Sequence, residues 1–156
     1  MKKFFKPLLA AMALVFHRAE FTNVAEGFHR DGSITRTADA ATATLYLVTT
    51  TGSDAAHFAI AGASDVPQGI CQDIVGVGFV TKVLLLGKGP TKIAQGSAAI
   101  AAGDRVTVAA AGQCQTMNGI TNGTYYCIGQ ALTACAGAGE QFEIVDCFPF
   151  QVTVSA

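Results

Sequence analysis

Five cysteines, three histidines and one tight Ser–Asp–His grouping are the residues of this 156-residue chain whose types could do chemistry. Cys71, Cys114, Cys127, Cys135 and Cys147 would suggest zinc or an iron–sulfur cluster if they came in close pairs, because such metals are gripped by thiolates a few residues apart. Their gaps are 43, 13, 8 and 12 residues, and no C-x-x-C occurs. An odd count also fits poorly with a closed disulfide framework. The expectation is mostly free, buried thiols that fill space as small apolar groups. One or two disulfides are the alternative, and gain weight if the opening segment is an export signal.

The remaining candidates fail on spacing. His17, His29 and His57 lie far apart, and no metal site is expected from them. Ser53, Asp54 and His57 have the types of a catalytic triad but share a single turn, whereas a triad is assembled by the fold, and no G-x-S-x-G elbow is present. "GSDAAH" therefore reads as a polar loop. "GKGPTK" (87–92) has glycine where a phosphate loop needs Ser or Thr, and Lys82 stands where its first glycine belongs. "GVGFVT" from Gly76 lacks the third glycine of a dinucleotide fingerprint. Asn122-Gly123-Thr124 fits a glycosylation sequon but reads as a hairpin turn. No carboxylate pair stands out in apolar surroundings. No enzyme, no cofactor and no metal is expected.

The elements that would carry any site are strands. From Ser33 onward, β-branched and aromatic runs alternate with Gly-rich turns at short intervals. "TLYLVTTTG" (44–52), "HFAIAG", "GICQDIVG" and "FVTKVLLLG" follow one another, the last apolar enough for a central strand buried on both faces. "DRVTVAAAGQCQT" reads as a hairpin with Val106 and Val108 on one side. "TYYCIGQALTA" and "EQFEIVDCF" form a pair linked by "CAGAGE", and "FQVTVSA" adds a last strand with Phe150, Val152 and Val154 on one face. Short turns at "TADAATA" and "GSAAIAAG" are the few helix candidates. The expected fold is all-β, a small β-barrel or sandwich over 33–156, preceded by an extended or helical N-terminal arm and linker over 1–32.

Only 13% of the residues are charged and 51% are hydrophobic, which is little charge to coat a free monomer. No apolar stretch reaches the roughly 18–20 residues that cross a bilayer, so no membrane span is expected. Self-assembly or a large partner accounts for the composition better. The net charge is −1, and the ten basic residues are scattered rather than gathered into a phosphate-neutralising patch, so nucleic acid is not an expected ligand.

The opening "MKKFFKPLLAAMALVF" resembles an export signal, with Lys2, Lys3 and Lys6 before the apolar run Pro7–Phe16. It lacks a usable small-x-small cleavage site: Ala19 has His17 at the −3 position and Ala25 has Asn23, and the chain carries Met1. A retained arm is expected instead. Burying its large side chains yields on the order of 10–20 kcal/mol. Ordering its backbone costs on the order of 16–32 kcal/mol, so the arm gains by docking into a neighbour rather than by folding alone. Its expected contact residues are Phe4, Phe5, Leu8, Leu9, Met12 and Phe16, with the three lysines as a polar rim.

Three stretches carry a resemblance to a known group. "TRTADAATATLYLVTTTGSDAAHFAIAGASDVPQGICQD", "SAAIAAGDRVTVAAAGQCQT" and "GTYYCIGQALTACAGAGEQFEIVDCFP" resemble capsid cement, or head decoration, proteins of tailed phages and prophages. The likeness spans Thr35 to Pro149 and lies in turn and core residues rather than in a catalytic signature. It implies a virion protein made in the host cytoplasm that binds the major capsid protein on the outer capsid surface in many copies. It also implies a homo-oligomer, with a trimer favoured. The competing expectation is a secreted or periplasmic β-domain of the adhesin or pilus kind, which would need the first segment cleaved and the cysteines paired.

Overall fold

Glycine-punctuated runs of Val, Ile, Thr and aromatics become ten strands in the computed structural model, which describes residues 32–155. The arm with Phe4, Phe5, Leu8, Leu9, Met12 and Phe16, the linker with His17 and His29, and Ala156 lie outside the described residues. The first five strands are β1 (Ser33–Ala38), β2 (Leu47–Thr51), β3 (His57–Ile60), β4 (Gly69–Cys71) and β5 (Val80–Leu85). They close into a barrel in the order β1-β3-β2-β4-β5, with β5 pairing back onto β1. Only the β1–β3 contact is parallel. Closure leaves this half without an edge strand.

The second half is an open antiparallel sheet of β6 (Lys92–Gln95), β7 (Arg105–Val108), β8 (Cys114–Thr116), β9 (Gly123–Ala131) and β10 (Gln141–Val154). Its order is β6-β10-β9-β7-β8, and a 3-10 turn at Ala110–Gly112 joins β7 to β8. One core serves both halves. Val48, Ala61, Ile70 and Leu86 from the first half pack in one cluster with Val106, Val108, Ile128, Phe142 and Ile144 from the second. Fully burying side chains of this size stabilises by about 1.5–3 kcal/mol each. Ala38, Phe58, Cys71 and Val83 form a smaller cluster of barrel residues. Between the halves, the Gly112 N–H donates to the Ala61 carbonyl at 2.8 Å, and Thr44 Oγ1 meets Gln95 Oε1 at 2.9 Å.

The all-β expectation holds, as a barrel joined to a sheet, and four local expectations are corrected. Neither "TADAATA" nor "GSAAIAAG" is helical: together they are a strand end, bridges and turns. β5 is not buried on both faces: Thr81 and Val83 are buried while Val80 and Lys82 are exposed, because one face of the barrel wall meets solvent. "FQVTVSA" is not a separate strand but the far end of β10, which runs unbroken past Pro149. Asn122-Gly123 does not close a hairpin, since β8 pairs with β7 and not with β9, and the chain crosses β7 to start β9 on its other side. Among the described residues, no helix is long and apolar enough to cross a membrane.

Candidate interaction surface

β10 owes its shape to an irregularity. Asp146 faces Gly129 and Phe150 faces Cys127, so β10 advances four residues where β9 advances two. Proline has no N–H for a ladder, which places Pro149 naturally in this bulge. The bulge turns Phe148 and Phe150 outward, where they stay 62% and 48% exposed.

The turn after β5 is clamped to this bulge. Gly87 has φ +72, and a Cβ there would stand 2.7 Å from both the backbone nitrogen and the ring of Phe148, so glycine is needed for conformation and for close approach. The Gly87 N–H donates to Asp146 Oδ2. Asp146 Oδ1 accepts from Lys92 Nζ at 2.8 Å, and both side chains are buried. Lys92 also donates to the carbonyls of Lys88 at 2.7 Å and Pro90 at 3.3 Å, so its ammonium is well partnered. Lys88 Nζ lies 5.3 Å from the centre of the Phe148 ring, a cation–π distance. "GKGPTK" is thus a structural turn whose second lysine anchors the crossing between the two halves.

Beside this clamp runs an open, mostly apolar groove of about 370 Å³ along the barrel–sheet seam. Ile34, Pro67 and Leu85 supply the barrel wall and Phe148 and Pro149 the sheet wall, with Arg36 and Lys88 as cations on its lining. A second apolar surface lies on the connection from β4 to β5 and the first residue of β5, where Ile74, Val77, Phe79 and Val80 are each at least 60% exposed. A third hollow, on the sheet, gathers Arg105, Gln130, Val145 and Phe150 around Cys127 and Cys147. Exposed apolar side chains collected in this way are the usual material of protein–protein contact. Sequence reasoning placed contact on the arm, which lies outside the described residues, and did not single these residues out. Proline inside the run "CFPF" and the uncharged apolar run "IVGVGFV" were the available signals.

The grouping weighed as a triad separates. His57 Nδ1 meets Asp54 Oδ1 at 2.6 Å, but the Ser53 hydroxyl donates to Asp39 Oδ1 at 2.9 Å instead of to the imidazole. Hydrogen bonding to His57, and then to the Ala56 N–H, holds the Asp54 carboxyl below its usual pKa; the bond to Asp54 raises that of His57. The five cysteines are all free, and four are buried. Burial, then the neighbouring Cys135, pushes the Cys114 thiol up to about 12. Burial, then Cys127, pushes Cys147 up to about 11. Such thiols are poor nucleophiles and poor metal ligands at neutral pH.

No protein-family model matches the chain, and no curated protein matches it either. Among solved structures, it is similar to the N-terminal base of the head fiber gp8.5 of bacteriophage phi29. The likeness covers 80% of this chain and 98% of that one, at a TM-score of 0.56 and 18% sequence identity. The two chains share a fold.

Proposed function

We propose that the protein is a structural component of a phage head that binds the outer capsid surface in many copies and cements it. The observation that carries this reading is the fold shared with a phage head fiber base over nearly the whole of that domain. The likeness of three stretches to capsid cement proteins supports it, as do the low charge and the exposed apolar surfaces of the seam and the β4–β5 connection. The role proposed is binding rather than catalysis, with the major capsid protein and other copies of the chain, as a trimer, for partners. Modest contacts repeated over a symmetric lattice hold strongly because each attachment raises the local concentration of the next. The test is quantitative protein composition of purified, DNA-filled particles. The protein is expected at a fixed ratio to the major capsid protein, and on the outer surface by labelled-antibody microscopy. Its absence from such particles would overturn the reading.

A further inference from the structure

We propose that the seam groove is the docking site of the chain's own N-terminal apolar segment, with Met12, Val15 and Phe16 as the side chains that enter it. Three observations converge. The groove is walled by Ile34, Pro67, Leu85, Phe148 and Pro149, and Phe148 stands 62% exposed there. The described chain begins at its rim: the Gly32 carbonyl accepts from the Leu85 N–H at 2.8 Å, and Gly32 has φ +69 with a Cβ position 2.7 Å from Lys88 Cβ. Leu85 and Lys88 both line the groove, so the first described residue, Gly32, stands beside it.

Reach and charge select the occupant. Residues 17–31 separate Phe16 from Gly32. A stretch of that length spans up to about 50 Å when extended and about 20 Å as a coil. Tethering on this scale presents the segment at an effective concentration in the millimolar range, far above that of another copy's segment in dilute solution. Arg36 and Lys88 on the groove lining oppose the all-basic Lys2–Lys6 end, whereas residues 17–31, with Glu20, Glu26 and Asp31 against Arg18 and Arg30, carry one net negative charge. The end of the apolar run nearest the linker therefore goes in. A groove of about 370 Å³ holds a few large side chains and not the whole run. Docking within one chain hides apolar surface in the free protein and leaves it available for exchange when a better partner is present.

The test is photocross-linking on the full chain, its intact mass first checked so that residues 1–31 are present. A benzophenone amino acid replaces Phe148, whose exposure makes the exchange tolerable; a second version carries it at Gln68, on the barrel side of the groove. The expected product is monomer-sized, links the probe to a peptide containing Met12–Phe16, and forms in the same yield after tenfold dilution. Combined Met12→Asp and Phe16→Asp should lower that yield at least tenfold. Cross-linked dimers whose yield falls on dilution, or a folded protein that yields no link to residues 1–31 from either probe, would overturn the proposal. The readout needs no particle, so its failure leaves the head reading standing, and absence from particles leaves the docking standing.

Discussion

Lys92 and Asp146 meet at 2.8 Å with side chains 1% and 4% exposed, whereas His57 and Asp54 meet at 2.6 Å with side chains 31% and 61% exposed. The contact lengths are nearly equal and the consequences are not. At the surface, water screens both charges and offers each a substitute partner, so an exposed pair adds little. At the seam, taking either group out of water is costly, and only full hydrogen bonding compensates. Asp146 accepts from Lys92 and Gly87, and Lys92 from its side reaches two further carbonyls of the turn. The seam pair therefore locks the crossing between the halves and the bulge of β10 into one arrangement, and with them the wall of the groove. The loop pair shapes one turn.

That contrast can be broken most directly at the seam. Lys92→Met or Asp146→Ala each strands a buried charge and should cost about 3–5 kcal/mol in denaturant unfolding. The double variant Lys92→Met with Asp146→Leu should recover a large part of that loss, because no charge is left unpaired. Single variants that lose less than about 1 kcal/mol would put the seam pair in the surface class and remove the contrast.

A smaller effect is expected at Gly87. Gly87→Ala meets the Phe148 ring and imposes a left-handed conformation on a residue with a side chain. The expected cost is about 1–3 kcal/mol, and the Lys88–Phe148 contact should loosen. Unchanged stability would mean that the turn and the bulge are not clamped to each other.

The loop pair should give the smallest effect, visible in titration rather than in stability. The raised His57 pKa means that its contribution is complete below 6.5 and is lost as pH rises through the folded value. The lowered Asp54 pKa means that its contribution is present above 3.8 and is lost as pH falls through the folded value. The contact is therefore fully charged only between those two folded values. NMR titration should place the His57 midpoint above 6.5, and Asp54→Asn should move it down, with only a small fall in the unfolding midpoint. A midpoint indifferent to Asp54→Asn would show that the pair does not form in solution.

Much of the β-pattern was legible residue by residue. Val106 and Val108 announced a hairpin, and both are buried opposite Thr116 and Cys114. Phe142 and Ile144 alternate into the core as their spacing suggests. β5 misled because "VLLL" is apolar whether or not a second layer covers it, and composition does not say which face meets water. β10 misled because Pro149 signals the end of a ladder, while a bulge lets the strand continue.

Strand alternation, turn glycines and the failure of every catalytic spacing were legible in the sequence alone, because they are properties of neighbouring residues. The closure of one half into a barrel and the opening of the other into a sheet were decided by long-range pairing, above all β5 returning to β1. The seam belongs to that second class. Nothing in "TKIAQ" marks Lys92 as buried, and Ile34 and Phe148 carry no local sign that they share a groove. Burial and contact depend on which surfaces the whole chain brings together, so the groove and the ion pair exist only once both halves have packed onto one core.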